Sequence, residues 1–64
     1  MKDDPKVLIG YAIGTEKDAI SMYKYLINKL PLKCAPVLDH ILKEERDHVR
    51  ELVSLLKKLY NEDF

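Results

Sequence analysis

The chain has 64 residues, which is one domain at most. A chain of this size buries only roughly 60% of its unfolded surface, so it usually needs a disulfide, a metal or a partner chain. Its single cysteine, Cys34, excludes an internal disulfide, and 11 basic residues against 11 acidic ones exclude a nucleic-acid or anionic-membrane binder that works by net charge.

The remaining composition narrows the class. No apolar run reaches the length of a membrane span. Met1-Lys2-Asp3-Asp4-Pro5 lacks the pattern of a secretory leader. With one unpaired thiol, this points to a reducing, cytoplasmic setting. Hydrophobic residues make up 47% of the chain and charged ones 34%, a division that suits strongly amphipathic helices. No P-loop, CxxC pair, linker or low-complexity segment divides the sequence, so residues 1–64 are expected to form a single unit.

In chain order, Asp4-Pro5 reads as a helix start, an Asp cap with proline at the first helical position. The first helix is expected over about residues 5–30. Gly10 and Gly14 weaken it by about 1 kcal/mol each against alanine. Pro31 stops it, because the residue before a proline is pushed out of the helical region. Pro36 then lies near the start of a second helix, expected over about residues 35–60, before Asn61-Glu62-Asp63-Phe64 frays. So short a connection makes the helices antiparallel.

Placing residues at about 100° intervals gives each helix an apolar stripe. Around Glu45 the stripe holds Leu38, Ile41, Leu42, Val49, Leu52, Val53, Leu56 and Leu59, with His48 as its second polar member. Around Glu16 it holds Leu8, Ile9, Ala12, Ile13, Ala19, Ile20, Tyr23, Leu26, Ile27 and Leu30. Each helix therefore aims titratable groups into its own core near mid-length.

An unpaired ionised carboxylate is costly to bury. Two glutamates and a histidine must therefore pair with one another or hold a cation. Glu45-Arg46-Asp47-His48 is Glu-x-x-His, whose i, i+3 spacing puts both side chains on one helix face. A glutamate on a facing helix plus one Glu-x-x-His is half the ligand set of a di-iron carboxylate bundle. Two chains about a twofold axis would supply the whole set and cover the open side of the hairpin. Such a site would hold two ions about 3.5–4 Å apart. The alternative is a Glu–His salt bridge inside a hairpin dimer.

Two segments carry a family resemblance. Ala12-Ile13-Gly14-Thr15-Glu16-Lys17-Asp18-Ala19-Ile20-Ser21-Met22-Tyr23 resembles the first metal helix of rubrerythrin-like and ferritin-like proteins. Ile41-Leu42-Lys43-Glu44-Glu45-Arg46-Asp47-His48-Val49-Arg50-Glu51-Leu52 resembles the second. The nearest type is the two-helix encapsulated ferritin, whose ferroxidase centre forms between two subunits. The resemblance implies an all-α antiparallel hairpin that dimerises into a ferritin-like four-helix bundle. It implies Glu16, Glu45 and His48 as iron ligands, one iron per chain and two per dimer. Tyr23 would donate to a ligand carboxylate, or else simply pack in the core. Manganese or zinc would also suit such donors. The implied function is a ferroxidase in iron storage or detoxification, in the cytoplasm or inside an encapsulin-type protein shell. The alternatives are a rubrerythrin-like peroxide reductase and a non-catalytic, metal-stabilised dimerisation module.

The sequence also departs from that family. Thr15 and Asp18 stand where encapsulated ferritins carry extra acids for an outer metal site. The family's shell-targeting peptide and rubrerythrin's paired cysteines have no counterpart in these residues. Glu44 borders the apolar face as a further, exchangeable ligand candidate, whereas His40 reads as a solvated surface residue. Cys34 is expected at the hairpin turn or the first turn of the second helix, in buried packing, with an intersubunit disulfide as the lesser alternative. Val7, Tyr11, Met22 and Tyr25 lie opposite Glu16 beside Gly10 and Gly14, which points either to further association of dimers into a ring or to cover by the N-terminal segment.

Overall fold

The computed structural model describes residues 4–62. Helix α1 spans Pro5–Ile27 and helix α2 spans Ala35–Glu62, joined through a short 3-10 turn at Leu32–Cys34. The start of α1 follows the sequence signal: Asp4 is extended, and its carboxylate accepts from the Lys6 amide at 2.8 Å, with Pro5 at the first helical position. The described residues form a slab 50 × 19 × 11 Å, two helices wide and one helix thick.

Helix α1 ends sooner than expected. It stops at Ile27 rather than Leu30, three residues ahead of the proline. Pro31 has no amide hydrogen to give the Ile27 carbonyl, and it drives Leu30 out of helical geometry. The last turn tightens accordingly: the amides of Asn28 and Lys29 donate to Tyr25 and Leu26, at 3.2 and 2.8 Å. The Asn28 side chain donates to the Lys24 carbonyl at 3.3 Å. At the other end α2 continues through Glu62, past the expected stop at Tyr60, and the expected fraying at Asp63 and Phe64 lies outside the described residues.

Two observations set the pairing. Lys6 near the start of α1 lies 5.1 Å from the Tyr60 ring near the end of α2, and Glu16 meets Glu45 and His48 at mid-length. The helices are therefore antiparallel. Their seam is apolar: Ile9, Ala12, Ile13, Ala19, Ile20, Tyr23 and Ile27 of α1 are half-buried, as are Ile41, Val49, Leu52, Val53, Leu56 and Leu59 of α2. Leu38 and Leu42, toward the turn, are the two buried hydrophobic residues among those described, each 6% exposed.

The two broad faces of the slab differ. Leu8, Met22 and Leu26 lie about 80–120° round α1 from Glu16, all in one sense. Val37 and Leu55 lie about 80° round α2 from Glu45 in that same sense. Because the helices run in opposite directions, the same sense on both means the same face of the slab. All five side chains are exposed. The opposite face carries Lys17, Lys24, Asp39, Arg46 and Lys57, also exposed. Exposed Thr15, Glu44 and Glu51 share the first face with those five side chains, so it is mixed, and the opposite face is the more uniformly charged.

Candidate metal centre

Glu16 sits at the middle of α1, and Glu45 and His48 share one turn of α2. The antiparallel pairing brings all three together: each offers a donor atom, and the three atoms lie within 4.8 Å of one another. His48 Nδ1 is 3.6 Å from Glu16 Oε2 and 3.7 Å from Glu45 Oε1. The side chains are 27%, 19% and 49% exposed for Glu16, Glu45 and His48 respectively. They line the seam where it opens onto the mixed face, and His48 reaches furthest out.

The seam does not satisfy these groups by itself. Glu16 Oε2 is buried and makes no hydrogen bond. A shared proton with Glu16 is the chief force holding the Glu45 carboxyl above its ordinary range; burial and the Glu16 charge add to it. His48 pulls Glu45 the other way, and Glu44 raises it slightly. Two carboxylates facing each other cannot both ionise cheaply. A cation between them removes that conflict.

The donor geometry fits a small divalent ion. Ligands about 2.1 Å from a metal and subtending 90–120° lie about 3.0–3.6 Å apart. The histidine–carboxylate separations are already at the upper edge of that range, so small side-chain rotations would close the set. A donor set of two carboxylates and one imidazole suits iron or manganese, and zinc can also use it. Three donors from one chain leave a first-row ion short of a full shell, on the side that faces out of the slab.

The other expected residues fall as follows. Tyr23 is half-buried in the seam about 10 Å along α1 from Glu16. Its hydroxyl bonds to neither carboxylate within one chain, so the packing role is the one present here. Glu44 is drawn to His40 instead of the cluster: His40 Nε2 and Glu44 Oε1 are 2.9 Å apart on the exposed side of α2. His40 is accordingly a surface residue. Cys34 is half-buried in the 3-10 turn. Thr15 is exposed, with its hydroxyl donating back to the Tyr11 carbonyl at 3.0 Å. Along the charged side of α2, Arg50 Nη1 meets Asp47 Oδ1 at 2.9 Å, an i, i+3 pair.

The stripe reading passed over Val37 and Leu55. Both sit at the edge of a quarter-turn from Glu45, on the side that the neighbouring helix leaves open. Both are exposed. No helix among the described residues is long and apolar enough to cross a membrane. Comparisons with family models, with curated proteins and with solved structures gave no match for this chain.

Proposed function

We propose that two copies of this chain close on their mixed faces into a four-helix bundle, and that the resulting centre is a ferroxidase. The observation that carries this reading is the Glu16, Glu45 and His48 cluster, with its orphaned Glu16 oxygen, at the mouth of the seam. The dimer answers two needs together. It covers Leu8, Met22, Leu26, Val37 and Leu55, and it brings a second set of three donors against the first. Four carboxylates then balance the charge of two divalent ions.

Fe²⁺ is the substrate. Each of two bound Fe²⁺ ions gives up one electron, and the two electrons with two protons convert O₂ to H₂O₂, leaving two Fe³⁺. The chain's own groups have separate tasks. Glu16 and Glu45 bind and bridge, and lose their shared proton as the substrate enters. His48 provides the nitrogen donor at the outer side. The apolar side chains around the site exclude water from it. One 11 Å layer of helix has no room for a mineral store, so the Fe³⁺ product leaves, in the cytoplasm or within a surrounding protein shell. The same site with H₂O₂ as oxidant would make the chain a rubrerythrin-like peroxide reductase. With metal but no turnover, it would be a dimerisation module. The exposed Val7, Tyr11 and Tyr25 on the back of α1 provide a surface on which dimers could join into a ring.

Anaerobic Fe²⁺ titration followed by air tests the reading. The expected result is one iron per chain, dimer formation on binding, and oxidation at the bound sites. Glu16→Ala and His48→Ala should lose the bound metal. Wild-type protein that binds no metal, or both variants binding as the wild type does, would overturn it. Replacing air with H₂O₂ separates the two oxidants.

A further inference from the structure

The turn ends in apolar side chains that the chain itself does not cover. Leu32 is 90% exposed, the most of any large hydrophobic residue among those described, and Leu30 is 37% exposed. Surface turns are usually built from glycine, asparagine, aspartate and serine. Here Leu30-Pro31-Leu32 stands at one end of a slab 50 Å long. The dimer proposed above covers Leu26 and Val37 but has no use for these three residues.

The backbone of the tip suits a medium poorer in water. An amide hydrogen carried into such a medium is costly unless it is bonded within the chain. Of residues 28–36, Pro31 and Pro36 have no amide hydrogen. The amides of Asn28, Lys29, Cys34 and Ala35 donate to the Tyr25, Leu26, Pro31 and Leu32 carbonyls. The local charge has one sign: between Asp18 and Asp39 the chain carries Lys24, Lys29 and Lys33 and no acid. Lys33 follows Leu32 directly, and Lys29 precedes Leu30, with its Nζ 5.0 Å from the Tyr25 ring, back along α1 from the tip. Both lysines are exposed. Asp39, the first acid on α2, lies about 6 Å along the axis behind Ala35.

We propose that the turn docks on an anionic lipid surface, with Leu32 and Leu30 entering the acyl boundary and Lys29 and Lys33 against the headgroup phosphates. Lysine stems lie along the apolar layer while their ammonium groups stay in water. The zero net charge excludes capture by the whole surface of the protein, whereas this contact uses one end of the slab and two lysines. With so few anchoring groups the binding is weak and reversible. The chain stands on the bilayer rather than across it, since no helix among the described residues is long and apolar enough to span one. An apolar tip alone would also suit a groove on another protein. The lysines on both sides of the leucines, with no acid among them, favour a uniformly anionic surface. The inference does not rest on the metal site.

The chain has no tryptophan, so Leu32→Trp supplies a single indole at the tip. Vesicles of about 30% phosphatidylglycerol in phosphatidylcholine should shift its emission to the blue, and the wild-type chain should sediment with the same vesicles. Pure phosphatidylcholine vesicles should bind about tenfold less or weaker still. Lys29→Ser and Lys33→Ser should each weaken binding to the anionic vesicles about fivefold, and Leu32→Ser about tenfold. All three positions are exposed, so helix content by circular dichroism should not change. No sedimentation of the wild type with anionic vesicles would overturn the proposal. Equal binding to both lipids, or Leu32→Ser binding as the wild type does, would do the same. Absent vesicle binding together with a lower oligomeric state in Leu32→Ser would assign the tip to a protein contact instead.

Discussion

The turn-side seam and the mid-length seam are built from the same two helices and end differently. Near the turn, Leu38 and Leu42 are closed over by their own chain. At mid-length the seam holds two carboxylates and an imidazole, with one buried carboxylate oxygen left without a hydrogen bond. The first region is complete in one copy of the chain. The second is in conflict with itself until something positive enters. A closed apolar contact and an unsettled polar cluster thus occupy different levels of one short hairpin.

Substitutions can sharpen or break that division. The largest effect is expected at Leu42, where Leu42→Ala should destabilise the metal-free protein by about 2–4 kcal/mol, read from urea unfolding. A loss below about half a kcal/mol would show that the turn-side seam does not hold the chain together. At mid-length the sign should reverse. Glu16→Leu removes the carboxylate conflict, so the metal-free protein should gain about 1 kcal/mol while the stabilisation by added Fe²⁺ or Zn²⁺ disappears. Thermal melts with and without metal read both halves of that expectation.

Smaller effects follow on the back of α1 and in pH. Neither Gly10 nor Gly14 has a positive φ, and a methyl group at either would meet nothing within 4 Å in its own chain. Gly14→Ala should therefore stabilise the isolated hairpin by about 1 kcal/mol. Loss of higher oligomers in the same variant would place a neighbouring dimer against that strip. The pH effect is the smallest. Folding raises the Glu45 pKa above its ordinary value of 4.5, so the folded state holds the proton more tightly than the unfolded chain does. That contribution is fully present below the ordinary value and is lost as pH rises through the raised one. Denaturant midpoints of metal-free protein should fall across that interval, and Glu16→Gln should flatten the fall. Metal affinity should move oppositely, rising with pH as the shared proton becomes easier to displace.

Much of this was legible in the residues, and the misses have physical causes. Asp4-Pro5 marks the start of α1 because both cap and proline act locally. Pro31 marks a stop, but the place where the last turn tightens depends on which carbonyls find donors, and this moved the end from Leu30 to Ile27. Glu16, Glu45 and His48 were legible as neighbours because a short turn sets the register of two antiparallel helices. Which side chain carries the orphaned oxygen depends on rotamers, and spacing says nothing of those. Tyr23 lies two turns from Glu16 and is half-buried in the seam, and within the single chain its hydroxyl makes no bond to either carboxylate. Val37 and Leu55 lie about 80° from Glu45, as Val53 does on the other side, yet Val53 is half-buried and they are exposed; angle from Glu45 alone does not say which edge of the stripe the neighbouring helix covers.

The position of Leu38 and Leu42 also bears on the order in which the hairpin assembles. In an antiparallel pair the chain length between facing residues grows away from the turn: 45 − 16 = 29 between Glu16 and Glu45, and 60 − 6 = 54 between Lys6 and Tyr60. Each doubling of that length adds about 0.6 kcal/mol of closure entropy. The strongest apolar contacts thus sit where closure is cheapest, and zipping proceeds from the turn outward. The expected order is the leucines first and the Glu16, Glu45 and His48 cluster later, so relieving the carboxylate conflict with Glu16→Leu should slow unfolding more than it speeds folding, as a denaturant chevron would show.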